Sequence, residues 1–378
     1  MRQRKGHALG AFLLLPGIIL LAACGRSPSS SNAANPVRIG LVVPLTSGVP
    51  TAAQSVVEGA QLAVEDINAE KGIRGRLLTL STVDDHGVPE EAVRLVEQLV
   101  GEQVVAIVGP VTDATTIAAA GVVERFKVLL ISPGATGTLP YGGHFVFRTA
   151  LPARTLAGAA ARYLVETLAI RRIAVVHDSN DYGTTVAVAF DEAIRARGAT
   201  ITSRRLYRDG DTDFTRHVRG ALGENAQAVF LAGYPDEGAL FLRQLRAVAP
   251  ELVVAGTDAL YSNDILSWAG AAASGLYVTT GFVAGTSLPL VRDFVAKYRQ
   301  KYGRVPDQYA AQSYDAVRAL AFAMRRVGFD RQKIRDTIAT LRRFPGVTGE
   351  VSFDRWGDPV REVIVARVKG GTFVQVSP

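Results

Sequence analysis

The segment VVAIVGPVTDATTIAAAG, residues 104–121, decides the fold. Its first five residues are a short apolar run, as expected of a parallel strand buried on both faces. Gly109-Pro110 stops the run. Thr112-Asp113-Ala114-Thr115 supplies side-chain oxygens that can cap a helix, and the alanines that follow prolong it. A strand that ends in a polar turn and feeds a helix brings backbone N–H groups and small hydroxyls to the carboxyl edge of a sheet. Open α/β proteins bind ligands at that edge. The same arrangement recurs at once, with residues 128–131 leading into Ser132-Pro133-Gly134-Ala135-Thr136.

The alternation extends both ways. Strands are predicted at 37–44, 77–83, 104–108, 128–131 and 145–149, with helices at 52–71 and 90–101. Val56, Ala60, Ala63, Val64 and Ile67 have helical spacing, and Gly72 ends that helix. Such alternation implies a parallel sheet with helices on both faces. The pattern restarts after residue 150. Helices are predicted at 155–168, 184–197, 213–222 and 237–249, and strands at 172–177, 200–207, 228–232, 253–255 and 275–280. Polar turns close three of these strands at Asp178 to Gly183, Gly233-Tyr234-Pro235-Asp236 and Gly256-Thr257-Asp258. Helices at 289–302, 306–327 and 331–341 come next. The end is β, at 349–354, 361–369 and 372–376, around a turn at Arg355-Trp356-Gly357-Asp358. Two α/β lobes with a helical return imply a cleft that holds a small ligand and closes by hinge motion.

Composition narrows the partners. With 378 residues, 48% hydrophobic and 20% charged, the chain has room for two ordinary globular domains. The net charge is +7, but Arg2, Arg4 and Lys5 account for three of those charges, and the rest are 39 basic against 35 acidic residues. No basic run or aromatic-interleaved patch follows, so nucleic-acid binding is not expected.

The amino terminus reads as a targeting segment. A basic start, an apolar run over 8–21 and then Leu21-Ala22-Ala23-Cys24 match a signal peptide over 1–23. Leu-Ala-Ala-Cys resembles the bacterial lipobox, which makes Cys24, the only cysteine, the expected lipid anchor. A lipidated Cys24 leaves no thiol for a disulfide, a nucleophile or a zinc site. The small, polar stretch 24–36 reads as a tether.

Several chemistries lack their motifs. No GxGxxG follows a strand, and there is no GxxxxGK[ST], GxSxG or HExxH. The five histidines are scattered; His177 reads as a polar turn residue and Asp84-Asp85 as a solvated turn. No enzyme activity, cofactor or metal is expected.

The ordered turns resemble the periplasmic leucine/isoleucine/valine-binding protein family, type I solute-binding proteins of ABC transporters. The matching segments are IGLVVPLTSG (39–48), EGAQLAVEDINAEKGIRG (58–75), IVGPVTDATT (107–116), LISPGAT (130–136), FRTA (147–150), AVVHDSNDYG (174–183), AGYPDEG (232–238), PDQYAAQSYDAV (306–317) and FDRWGDP (353–359). The ordered set, more than any one segment, carries the likeness. It implies two doubly wound lobes with parallel central sheets joined by three hinge crossovers. Lobe 1 would hold 37–150 plus 283–347, and lobe 2 would hold 151–282 plus 348–378. It also implies a lipid-anchored, extracytoplasmic monomer that passes a small solute to an ABC permease.

By the same resemblance, Thr112, Asp113, Gly134, Ala135 and Thr136 would bind the ligand's α-carboxylate and part of its ammonium. The other lobe would supply two aromatics, Tyr182 and Tyr234, and an acid, Asp258, that pairs with the ammonium, and Phe282 would line the side-chain pocket. Tyr309, Tyr314 and Trp356 read as packing. Two departures bear on the ligand. The family usually carries Ser where this chain has Asp113, which either opposes a ligand carboxylate or caps its own helix and faces away. An aromatic often found near position 52 is Ala52 here. With these departures an amide, a polyamine-like cation, a basic amino acid or another small polar metabolite joins the branched-chain amino acids as a candidate. A sensor and an activator of cell-wall enzymes share the fold and remain alternatives.

Overall fold

The computed structural model describes residues 35–140 and 142–377. The signal segment 1–23, Cys24 and all but the last two residues of the tether 24–36 lie outside the described residues.

Five short strands come first: β1 (Val37–Val43), β2 (Leu78–Asp84), β3 (Ala106–Val108), β4 (Leu129–Ser132) and β5 (Val146–Arg148). Between the first four run α1 (Pro50–Ala69), α2 (Pro89–Gly101) and α3 (Asp113–Phe126). The strands pair in the order β2-β1-β3-β4-β5, all parallel. The strand that opened the sequence argument sits at the centre of this sheet, and its three residues are fully buried. The other central strand, β1, is apolar almost throughout because helices cover both faces.

A second set repeats the plan. It contains α4 (Ala153–Arg162), β6 (Arg172–Asp178), α5 (Asp181–Arg195), β7 (Thr200–Tyr207), α6 (Thr215–Leu222), β8 (Ala228–Ala232), α7 (Pro235–Val248), β9 (Val253–Gly256), α8 (Asn263–Ala269) and β10 (Tyr277–Thr280). Then come α9 (Pro289–Tyr302), α10 (Gln308–Val327) and α11 (Arg331–Ala339), followed by a small hairpin of β11 (Phe344–Gly346) and β12 (Gly349–Val351). The chain ends in β13 (Ile364–Lys369) and β14 (Thr372–Ser377). The second sheet has the order β14-β13-β10-β9-β8-β6-β7, parallel from β10 to β7 and antiparallel at its other end.

The expected fold class is therefore present: two doubly wound sheets, with the chain crossing between them three times. The crossings lie between β5 and α4, between β10 and α9, and between β12 and β13. Helices α9 to α11 return to the first sheet. Ser313 Oγ donates to the Val56 carbonyl at 2.7 Å, Tyr314 Oη donates to Asp66 Oδ2 at 2.7 Å, and Arg331 donates to the Val104 carbonyl at 2.7 Å.

Three expectations need correction. Asp84-Asp85 is not a solvated turn. Asp84 Oδ1 accepts the N–H groups of Leu45 and His86, and Asp85 is fully buried, accepting the Gly87 N–H at 3.0 Å. Burial pushes the Asp85 carboxyl up to about 6. Trp356 does not pack in the interior, since 56% of it is exposed. The strand expected at 361 begins at Ile364. Arg361 is instead turned inward, donating to the carbonyls of Thr149 and Thr348.

Helices α1 and α10 come close where Gly59 of α1 meets the start of α10. A Cβ on Gly59 would lie 2.1 Å from the Ala310 carbonyl oxygen and 2.5 Å from Ser313 Oγ. Gly59→Val is therefore expected to cost about 3 kcal/mol or more by forcing the helices apart. Urea melts of the variant and the wild type measure this directly.

Candidate functional site

The carboxyl ends of strands from both sheets open on one cleft of about 370 Å³. The first sheet contributes Gly48 to Ala52 after β1, Gly87 after β2, and Thr112 to Ala114 after β3. The second contributes Asn180 to Tyr182 after β6, Asp209 after β7, Tyr234 to Glu237 after β8, and Ala259, Ser262 and Asp264 after β9. Asp307 and Tyr309 reach it from the start of α10. A small inner hollow of about 10 Å³ shares six of these residues, including Thr112, Asp113, Tyr182, Tyr234 and Tyr309, and adds Val111 and Gly134.

Thr112 has the structural part of its expected role. Its Oγ1 accepts the Thr115 N–H at 3.3 Å and so caps α3. With the cap supplied by its neighbour, Asp113 does not cap its own helix, and it lines the cleft. It turns across to the loop after β4, where its Oδ1 accepts the N–H groups of Thr136 at 2.6 Å and Gly137 at 2.9 Å. Gly137 makes room for this, since a Cβ there would lie 2.9 Å from Asp113 Oδ2. Asp113 is 8% exposed, and its Oδ2 has no partner. Burial raises its carboxyl above the ordinary range, against the pull of the two N–H donors.

The rest of this loop is also committed. The N–H groups of Ala135 and Gly134 donate to Ser132 Oγ at 3.1 and 3.4 Å. The carbonyls of Ala135 and Gly137 accept from Arg148 Nη1 at 3.2 and 2.6 Å. Arg148 is itself buried and fixed by Asp358 Oδ1 at 2.7 Å. Gly134 lines the inner hollow, whereas Ala135 and Thr136 lie beneath the lining with the Thr136 hydroxyl buried and unpartnered.

Opposite, the rings of Tyr182 and Tyr234 stack with centroids 5.0 Å apart and planes at 26°. Asp258 is not on the cleft wall but directly behind it. Its Oδ1 accepts from Tyr182 Oη at 3.3 Å, and the same hydroxyl lies 2.8 Å from Thr257 Oγ1. Burial pushes the Asp258 carboxyl up to about 7, while the Tyr182 bond and the Arg361 charge pull the other way. His177 is buried at the end of β6, its Nδ1 2.8 Å from the Asp178 carbonyl.

Phe282 is a correction. It packs edge-on against Tyr261 and Phe294 in the core and lines no part of the cleft. Tyr309 is the converse case. Read as packing, it lines both the cleft and the inner hollow. The available signal was Asp307, which caps α10 by accepting the Ala310 N–H and so sets Tyr309 on a helix start at the sheet edge. Asp181, Asp209, Asp236, Glu237 and Asp264 were also passed over as lining residues. Among the described residues no cluster of ligating side chains could hold a metal ion.

Two facing α/β sheets with a polar, aromatic-walled cleft at their shared strand ends define a binding protein of the bilobal α/β class. Residues 36–372 match the periplasmic binding protein family along nearly the whole body, and the chain belongs to that family. It is 30% identical over 328 residues to the Leu/Ile/Val-binding protein BraC3 of Rhizobium johnstonii, covering 85% of this chain and 88% of that protein. Its fold superposes on the leucine-binding protein LivK of Thermotoga maritima with a TM-score of 0.83 at 30% identity, covering 90% of this chain and 98% of that one. LivJ, the branched-chain amino acid transporter substrate-binding protein of Streptococcus pneumoniae, solved with isoleucine, gives 0.82 at 27% identity, with 90% and 100% covered. The family implies an extracytoplasmic location, and no described helix is long and apolar enough to cross a membrane.

Asp258 yields a pH prediction. Its folded carboxyl titrates near 7, against 3.8 ordinarily, so between about pH 4 and 7 the folded chain keeps a proton that the unfolded chain releases. That contribution to stability is full below pH 4 and is lost as pH rises to about 7, by at most about 4 kcal/mol. Asp258→Asn should flatten the fall in melting temperature across this range and melt higher than wild type at pH 8. Parallel melting profiles for the two proteins would refute the assignment.

Proposed function

We infer that the protein is the extracytoplasmic solute receptor of an ABC importer, holding a small polar solute in the cleft between its sheets. The observation that carries this reading is that loops from both sheets line one hollow, so a solute there touches both only when they close on it. Ligand binding then selects the closed form, whose geometry a permease can read. No bond in the solute is made or broken.

We assign 37–150 and 283–347 to one lobe and 151–282 with the carboxyl-terminal strands to the other. Residues 348–359 join the first lobe in this division, although the sequence pattern suggested the second. Phe353 meets Phe147 edge-on at 5.3 Å, and the Arg148 N–H donates to the Gly357 carbonyl at 3.0 Å. Thr112, Asp113, Gly134 and Tyr309 come from the first lobe and Tyr182 and Tyr234 from the second. Ala135, Thr136 and Asp258 act from behind the wall. A cleft not filled by the protein's own side chains favours solute capture over the cell-wall activator reading.

A thermal-shift screen of the purified protein against amino acids, amides and amines should find at least one stabilising solute. Tyr234→Ala should weaken that solute's binding at least tenfold in calorimetry by removing half of the aromatic stack. A screen in which no solute raises the melting temperature counts against a receptor.

We further propose that the mature protein is a monomer held at the membrane by lipid on Cys24. Cys24→Ser should abolish incorporation of labelled palmitate and move the protein to the soluble fraction. Unchanged fractionation and labelling would remove the anchor.

A further inference from the structure

We propose that the cleft takes an aliphatic organic cation with more than one ammonium group, a diamine or polyamine, rather than an α-amino acid gripped by its carboxylate. This rests on the receptor reading above and narrows it to a substrate class.

The first argument is the supply of donors. A carboxylate at the wall formed by the loop after β4 needs free donors, yet all four N–H groups from Gly134 to Gly137 already have acceptors within the chain, and the one unpartnered donor of that loop, the Thr136 hydroxyl, does not line the cleft. Asp113 Oδ1 takes two of them. An incoming carboxylate would meet the Asp113 carboxylate at that wall, in a buried setting where like charges are costly.

The second argument is charge. Besides Asp307, which is occupied as a helix cap, the cleft is lined by Asp113, Asp181, Asp209, Asp236, Glu237 and Asp264. Among the described residues no Lys, Arg or His lines it, and none of these acids forms an ion pair. Five of the six sit in the first turns of α3, α5, α7 and α8, where they also face helix dipoles. The dipoles do not cancel them. Six helices, α1, α3, α5, α7, α8 and α10, begin at the cleft. At about half a charge each they supply about three positive charges against seven carboxylates. The hollow is thus an acidic focus in a chain whose net charge is +7.

The third argument is shape. The inner hollow, about 10 Å³, has room for about one water-sized group. A primary ammonium fits that space; a trimethylammonium does not. Asp113, nine-tenths buried and with Oδ2 unpartnered, lines it, as do Tyr182, Tyr234 and Tyr309. A carboxylate oxygen without a donor and aromatic faces that attract cations are what an ammonium head requires. The wider cleft beyond, with Asp181, Asp209 and Asp264, suits the second charge and an apolar spacer.

The test is calorimetry and thermal shift on the full-length protein with 1,4-diaminobutane, spermidine, L-lysine, L-leucine and acetamide. The amines should bind at least tenfold more tightly than L-leucine. Asp113→Ser should weaken them at least tenfold while strengthening L-leucine, because it releases the N–H groups of Thr136 and Gly137. If that variant does not fold, the double variant Asp181→Asn with Asp264→Asn decides, and it should weaken the amines while keeping a wild-type melting curve. Tighter binding of L-leucine or acetamide than of either amine overturns this inference and leaves the receptor reading standing. Amine binding that neither variant weakens also overturns it. If no small solute binds, both readings fall.

Discussion

One carboxylate oxygen organises the site: Asp113 Oδ1, which takes the N–H groups of Thr136 and Gly137. Those donors belong to a loop whose carbonyls are held by Arg148, which is in turn held by Asp358. The loop is therefore clamped from both sides by charged groups that are themselves buried, and charge-assisted hydrogen bonds are the stronger kind. What the cleft can recognise then depends on what this clamp leaves over, namely the second Asp113 oxygen and the tyrosine faces around it. In a site of this architecture, a serine in place of Asp113 would leave two N–H donors facing outward. A single side chain thus changes the sign of the charge that the wall accepts.

The wall opposite is built on a different principle. Tyr182 and Tyr234 offer rigid aromatic faces, and the carboxyl behind Tyr182 touches the cleft only through that residue's hydroxyl. Burial pushes the Asp258 carboxyl up to about 7, against the pull of the Tyr182 bond and of the Arg361 charge. A cation on the tyrosine faces would favour its charged form further.

Much of this was legible in the sequence because it was local. The strand-turn-helix unit around Gly109-Pro110 followed from the apolar run that stops there, whereas the run that stops at Ser132-Pro133 leads by a loop to β5 with no helix between; the caps at Thr112, Asn180 and Asp307 are formed by residue types that favour that position. What was not legible was long-range. Asp113 reaches a loop 23 residues away, and the choice between capping and reaching was made by Thr112, which took the cap first. Phe282 and Tyr309 exchanged roles because an aromatic at a crossing and an aromatic at a helix start look alike until packing decides which one the core absorbs. Arg361, in a stretch expected to be strand, left the ladder because two carbonyls at the crossings need its donors.

Those carbonyls also help join the two sheets. Thr149 lies on the first crossing and Thr348 leads into the third, and both carbonyls accept from the one guanidinium of Arg361. Arg361 is half-buried there, and desolvation lowers its ordinary value to about 10, with Asp315 on α10 and Asp258 after β9 as its compensating charges. Interdigitated side chains resist rotation, because any shift opens voids. A fork of N–H donors on two carbonyl oxygens tolerates a change of angle more readily, since acceptance at a carbonyl is broad in direction. Arg361 thus adds a polar link between the first crossing and the hairpin before the third, beside the apolar packing of Phe282 at the second.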